Sequence, residues 1–268
     1  MPSKVSRGVS ATIAAPELTL ENLSYSYTLK DTHVLDDISL GFPAGKFTSI
    51  LGPSGAGKST LLEHLAGLLT PTSGRVLLDD QPLPPLGFAG YMPQRDCLLP
   101  WRTVLANVLL GAQIQHMNKA EAKKMALELL HDFGLGEVAS AFPAQLSGGM
   151  RQRVALARTV MVSRNLLLLD EPLSALDALN RLSLQQWLSR TIGDLGATTV
   201  MITHDIREAL LLSDQIVVLS ARPATVVAVY EVPLAERPRD PAHLHDASMQ
   251  RLEQRLLNHL LAAESGSG

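Results

Sequence analysis

The chain has 268 residues, 46% of them hydrophobic, and a formal net charge of −3. That size suits one large α/β domain or a domain with a subdomain, and the near-neutral balance argues against a basic nucleic-acid-binding surface. A single cysteine, Cys97, excludes an intrachain disulfide, and no apolar run reaches the ~18 residues needed for a membrane span.

Residues 1–15 are rich in Ser and Ala and carry Lys4 and Arg7 with no continuous apolar core behind them. They read as a loose segment and not as a secretory signal, so a reducing, cytosolic setting is expected. Leu18 to Leu23 and Val34 to Leu40 alternate apolar and polar residues, the pattern of antiparallel strands. Phe47 to Leu51 reads as a buried strand.

The next stretch, Gly52-Pro53-Ser54-Gly55-Ala56-Gly57-Lys58-Ser59-Thr60, fits G-x-x-x-x-G-K-[ST] at every fixed position. Its glycines let the backbone curl so that N–H groups point inward at an anion. Lys58 would reach the outer phosphates of a nucleotide, and the Ser59 hydroxyl suits Mg²⁺, which prefers oxygen ligands. Thr60 to Leu65 reads as the helix that follows, and its N-terminus adds partial positive charge at the phosphates.

Ser73 to Asp80 reads as a strand ending in a turn, with Pro82, Pro84 and Pro85 breaking regular structure beyond it. From about residue 103 to 160 the pattern becomes helical. Lys119 to Phe133 spaces Met125, Leu129 and Phe133 by four, and Arg151 to Met161 is a second helix. Asn165 to Asp170 reads as a buried strand, Asp177 to Ile192 as a helix, Thr198 to Thr203 as a strand and Arg207 to Leu212 as a helix. Gln215 to Leu219 and Thr225 to Tyr230 read as closing strands. Met249 to Ala262 is expected as a terminal helix with Leu252, Leu256, Leu257 and Leu260 on one side, followed by a flexible tail from Glu264 to Gly268.

Two further motifs narrow the chemistry. The apolar run Leu166 to Leu169 leads directly into Asp170 and Glu171. Ligands of open parallel sheets sit beyond the carboxyl ends of strands, so Asp170 would lie near Mg²⁺. Glu171, one residue on, can orient or deprotonate an attacking water. Leu146 to Arg153 reads LSGGMRQR and forms a second anion site: Ser147 supplies a hydroxyl, Gly148 and Gly149 leave backbone N–H groups open, and a helix begins at once. Taken alone, it could equally be a helix start capped by Ser147 or Gly148.

With these three motifs in this order, the chain closely resembles the ATP-binding cassette (ABC) ATPases from about residue 17 to 235. The resemblance implies an α/β fold: a P-loop NTPase core with a parallel sheet, an antiparallel β subdomain and an inserted α-helical subdomain near residues 95–160. Residues 1–16 would be a flexible N-terminus and residues 236–268 a C-terminal helix with a tail. It further implies that Tyr27, or its competitor Tyr25, stacks on adenine, that Gln94 touches Mg²⁺ and the attacking water, and that Ser174 to Asp177 form the D-loop. His204 would contact the γ-phosphate, with ATP and Mg²⁺ as cofactors.

In that family two cassettes face each other head to tail, so Ser147 and Gly149 of one chain would close on ATP held by the other. The partner would be a second copy or a relative. The segment Leu98 to Val108, with its LLPW-x-TV-x-x-NV pattern, resembles importer cassettes of the nitrate, sulfonate and taurine group, which includes carriers of thiamine-precursor pyrimidines; Ser220 to Ala224 is common there too. Such a cassette would lie at the cytoplasmic face of the inner membrane beneath a separate permease, served indirectly by a solute-binding protein.

An exporter or lipoprotein-release cassette shares the core motifs. Soluble cassettes of ribosomes or DNA repair fit less well: one cassette is present, and no extended heptads separate Lys58 from Ser147. A GTPase would need Asn-Lys-x-Asp, and Asn118-Lys119-Ala120-Glu121 lacks the Asp. Leu98, Leu99 and Trp101 suit either docking of a partner helix or packing of the helical subdomain. Cys97 is expected to be a packed side chain, and the remaining histidines form no metal-binding pattern.

Overall fold

The computed structural model describes residues 14–27, 32–174, 176, 178–233 and 239–265. Its first layer is antiparallel. Strands β1 (Leu18–Tyr27) and β2 (Thr32–Phe42) pair in a register that sets Leu18 against Phe42 and Leu20 against Leu40, burying all four. β4 (Ser73–Leu78) pairs with the other side of β1 and turns back into β5 (Gln81–Pro82). The turn runs through Asp79 and Asp80 at φ 50° and 58°, the left-handed pair that suits the twist of a two-residue hairpin. Pro82 was expected to break structure; it lies in the outermost strand, where a missing N–H leaves no ladder bond unmade.

The second layer is a six-stranded sheet. Five strands run parallel: β3 (Phe47–Leu51), β6 (Gly90–Met92), β7 (Leu166–Asp170), β8 (Thr198–Ile202) and β9 (Gln215–Leu219). An antiparallel edge strand, β10 (Val226–Glu231), completes the order β10-β9-β3-β8-β7-β6. Both faces are covered, which is why β3, β7 and β8 read as unbroken apolar or Thr-rich runs instead of alternating ones.

The two faces of β7 feed different cores. Leu166 and Leu168 join the core under the antiparallel sheet, where Leu61, Leu62 and Leu65 of α1 (Lys58–Leu65) are fully buried. Each such leucine contributes roughly 1.5–3 kcal/mol. Leu167 and Leu169 face the opposite way, into a core shared with α2 (Val104–Ile114), α3 (Lys119–Asp132) and α4 (Gly148–Val162). β7 thus joins the two halves of the molecule and ends at their junction.

Helices α5 (Ala178–Leu195) and α6 (Ile206–Leu212) follow. The terminal helix α7 (Ala247–Ser265) seats Met249, Leu252 and Leu256 against Leu51, Ile216 and Val218. It is longer than expected, with Glu264 and Ser265 inside it; residues 266–268 and 1–13 lie outside the described residues. Leu257, expected on the buried side, is 40% exposed, because one residue turns a helix by about 100° from Leu256. Among the described residues, no helix is long and apolar enough to cross a membrane.

Candidate active site

The loop Gly52–Gly57 leaves the carboxyl end of β3 and runs into α1. Ser54 and Gly55 are exposed, Gly52 and Pro53 half-buried, and Ala56 and Gly57 buried. Gly57 sits at φ 109°, and a Cβ there would lie 2.8 Å from Val34 Cγ1 and 3.1 Å from Leu35 Cδ2. Conformation and space therefore both demand glycine. Lys58 Nζ donates to the carbonyls of Gly52 and Pro53, each at 2.8 Å, so its ammonium lies across the loop. Burial lowers the Lys58 pKa, and the nearby carboxylates of Glu171 and Asp170 oppose that shift.

Asp170, the last residue of β7, is 3% exposed and hydrogen-bonded to the side chain of Ser59. Burial pushes its carboxyl above the usual carboxylate range, and the Ser59 bond opposes the rise. A buried carboxylate sharing a bond with a hydroxyl, next to a phosphate-type loop, is an oxygen donor set that fits Mg²⁺. Thr60, buried on α1, places its Oγ1 3.3 Å from the hydroxyl of Tyr27. Tyr27 is exposed; Tyr25 meets it edge-on at 5.0 Å and packs against His64 at 4.6 Å.

Glu171 is the convergence point. Its Oε2 accepts a hydrogen bond from Gln94 Nε2 at 3.2 Å and lies 3.8 Å from His204 Nδ1. Three neighbouring strands, β6, β7 and β8, thus aim one side chain each at a common spot beyond their carboxyl ends. Glu171 holds φ 46°, a left-handed value uncommon for a side-chain-bearing residue. The surroundings enforce it: the Glu171 N–H donates to Ile202 O at 3.1 Å, and its carbonyl accepts from Ser174 Oγ at 3.0 Å and Gln152 Nε2 at 3.4 Å. Such over-determined strain is a mark of functional positions.

Beneath His204 lies a group not singled out from the sequence. Thr203 Oγ1 donates to the carboxylate of Glu208, which is buried on α6, and accepts from Asp205 N at 3.1 Å. Asp205 caps α6 by accepting from the N–H groups of Arg207 and Glu208 at 2.9 and 3.1 Å. Burial raises the Glu208 carboxyl pKa. A signal was present, since an acid three residues after an N-cap residue resembles a capping box.

Ser147 caps α4, its Oγ accepting from Met150 N at 3.2 Å, so the capped-helix reading and the anion-site reading describe the same atoms. Gly148 and Gly149 open the helix, and a Cβ on Gly149 would lie 2.8 Å from Leu176 Cδ2. Among the described residues, no hydrogen bond or ion pair links Ser147, Gly148 or Gly149 to the phosphate loop. Of the expected D-loop, Ala175 and Asp177 lie outside the described residues. After Gln94, Leu98 is buried in the helical core while Trp101 is 71% exposed, so packing and a free apolar surface coexist within four residues. Cys97 is exposed, not packed, with φ 45°.

The ABC transporter family model matches residues 35–174, which spans the phosphate loop, Gln94, the Ser147 motif and Glu171. The chain belongs to the ABC transporter family. Relatives of this cassette include the aliphatic sulfonates import ATP-binding protein SsuB 1 of Rhodococcus jostii, 43% identical over 251 residues, covering 92% of this chain and 95% of the relative. The taurine import ATP-binding protein TauB of Rhizobium johnstonii is 43% identical, covering 78% and 80%. An ABC transporter ATP-binding protein of Bacillus subtilis, YtlC, is 44% identical, covering 81% and 84%.

Among solved structures, the dimeric bacterial ABC transporter cassette MJ0796 superposes with a TM-score of 0.73 at 31% identity, covering 81% of this chain and all of that one. The same cassette in a post-hydrolysis dimer bound to ADP and Pi matches equally well. The present cassette is accordingly an ATP-binding and ATP-hydrolysing protein with the P-loop NTPase fold.

Proposed function

We propose that this chain is the ATPase subunit of a bacterial importer. Two copies pair head to tail at the cytoplasmic face of the inner membrane, beneath a separate permease that a solute-binding protein supplies. The observation that carries the reading is the approach of Gln94 and His204 to one carboxylate oxygen of Glu171, beside the Asp170–Ser59 pair and Lys58. That arrangement can hold a nucleoside triphosphate and aim a water at its outer phosphate.

Lys58 and the N–H groups from Gly52 to Thr60, with the side chains of Ser54, Ser59 and Thr60 alongside, bind the phosphates. Tyr27 stacks on adenine, because Tyr25 is turned onto His64 while Tyr27 is exposed. Ser59, Asp170 and Gln94 would hold Mg²⁺, which when bound neutralises phosphate charge. Glu171 accepts the proton of the attacking water, Gln94 helps orient that water, and His204 contacts the γ-phosphate. Ser147, Gly148 and Gly149 serve the nucleotide of the partner copy. The catalytic domain spans residues 17–235, with its helical subdomain near 95–160.

The solute is a small organic sulfonate such as taurine, a reading supported by the names of the sulfonate and taurine import relatives. Cells lacking the chain should lose uptake of labelled taurine or an alkanesulfonate and regain it with the intact gene; uptake at the parental rate rules out that solute class. The transport reading itself is tested by recovering Glu171→Gln with ATP from detergent-solubilised cells. A multi-span permease should co-purify, whereas ribosomes or nucleic acid with no membrane protein would overturn it.

A further inference from the structure

His64 is fully buried on α1 between Leu62 and Leu65, at a place where a leucine would carry no polar atom out of water. Its Nδ1 lies 2.7 Å from the Thr60 carbonyl. A carbonyl only accepts, so Nδ1 carries the proton and donates. Burial lowers the His64 pKa, which leaves the ring neutral near pH 7. That ring packs against Tyr25, with centroids 4.6 Å and planes 72° apart. Tyr25 in turn meets Tyr27 edge-on, at 5.0 Å and 82°. The circuit closes where the Tyr27 hydroxyl lies 3.3 Å from Thr60 Oγ1. Four residues from β1 and α1 thus form a ring that begins and ends on Tyr27 and includes Thr60, the residue that ends the phosphate-loop motif.

Tyr27 is the last residue of β1 and is exposed. An exposed side chain at a strand end turns among rotamers, and losing that freedom weakens the binding of anything that stacks on it. An edge-on neighbour covers at most one face of Tyr27, so a face stays open for a flat base. We propose that His64 and Tyr25 are positioning residues for base recognition: the buried imidazole props Tyr25, and Tyr25 holds the ring of Tyr27 ready for adenine, in register with the phosphate loop through Thr60. Tyr25 is then the support of Tyr27 and not its competitor. This rests on the reading above that Tyr27 stacks on adenine.

The test compares ATP with inorganic tripolyphosphate, which keeps the phosphates and lacks the base. Equilibrium titration of the dilute full chain with Mg²⁺ measures both ligands, in the parent, His64→Leu, Tyr25→Leu, Tyr25→Phe and Tyr27→Ala. Tyr27→Ala should weaken ATP binding about tenfold or more, the scale of base–aromatic stacking. His64→Leu and Tyr25→Leu should each weaken ATP binding by roughly threefold to tenfold, the worth of one aromatic contact, and leave tripolyphosphate within about twofold of the parent. Tyr25→Phe, which keeps the ring edge, should bind ATP like the parent. Combined with Tyr27→Ala, His64→Leu should weaken ATP binding no further.

The proposal is overturned if His64→Leu and Tyr25→Leu bind ATP at parental strength. It is overturned equally if they weaken ATP and tripolyphosphate alike, which would make His64 a structural contact of α1 only, or if the loss persists in the Tyr27→Ala background. If Tyr27→Ala alone leaves ATP binding unchanged, the adenine reading itself fails, an outcome that this one variant separates from all the others.

Discussion

The phosphate loop and the loop after Gln94 both leave carboxyl ends of strands in the same sheet, yet they are held in opposite ways. The phosphate loop is self-contained: Lys58 bonds to carbonyls 6 and 5 positions away, and Ala56 N–H donates to Pro53 O. The loop after Gln94 is held from outside. Arg151 and Arg158 reach it across 55 to 62 positions; Asn107, fully buried near the start of α2, adds local bonds, donating to three of its carbonyls and accepting from Leu99 N. A loop shaped by its own backbone presents a fixed cradle. A loop held by side chains of another helix moves when that helix moves, which suits a sensor.

The largest effect is expected at Glu171, to which Gln94 bonds. Glu171→Gln should retain ATP binding and lose about 100-fold or more in turnover, measured as steady-state phosphate release, because general-base contributions are of that order. A turnover near the parental one would leave the convergence of Gln94 and His204 without a catalytic purpose. Next in size, Lys58→Ala should weaken ATP binding by roughly tenfold to a hundredfold in equilibrium titration, the worth of charge-assisted bonds to phosphate.

Two smaller changes test what holds each loop. Gly57→Ala should destabilise the fold by about 1–3 kcal/mol, since it combines a strained φ with overlap on Val34. Asn107→Ala should cost a similar amount, about 1–3 kcal/mol, by leaving the Leu99 N–H and the Arg102 carbonyl without the partner that Asn107 gives them. Denaturant unfolding reads both. The comparison sharpens if Asn107→Ala also alters the ATP dependence of hydrolysis while Gly57→Ala alters only nucleotide affinity and stability; it breaks if both loops respond alike.

The smallest effect concerns the third strand-end loop, at His204. Burial raises the Glu208 carboxyl pKa, so the folded chain keeps that proton to higher pH than the unfolded chain does. Between the two values the folded state binds more protons, and stability falls as pH rises through that window, staying lower above it. Glu208→Gln should therefore match the parent below the ordinary carboxyl range and be more stable at neutral pH, by thermal melts across pH. A gap independent of pH would mean that the Thr203 bond, and not the buried charge, sets the balance.

Much of the fold was legible because periodicity reports burial. The all-leucine run of β7 announced a strand covered on both faces, and the order of the motifs announced the cassette. Two strands were not legible. β5 is a two-residue return beyond Asp80, and β6 spans only Gly90–Met92, too short to show any period. Gly90 is needed there because a Cβ would lie 2.6 Å from the Thr159 carbonyl of α4, a closeness that no local pattern encodes. Glu208 was passed over because an acid at a helix start ordinarily faces water, and its burial depends on Thr203 and Gln185 arriving from other elements.

The sequence by itself determined the phosphate loop, the Asp170–Glu171 pair, the Ser147 helix start and the kinship with ABC cassettes, since each is a short run whose residue types carry its chemistry. Only the tertiary structure decided which tyrosine is exposed at the phosphate loop, that Cys97 and Trp101 face outward while Leu98 packs inward, and that Gln94 and His204 meet at one oxygen of Glu171. It also decided that two arginines of α4 hold the Gln94 loop. These are relations between distant segments, set by how strands order themselves in a sheet and which helices cover it, and side-chain bonds across such distances leave no period or spacing in the chain.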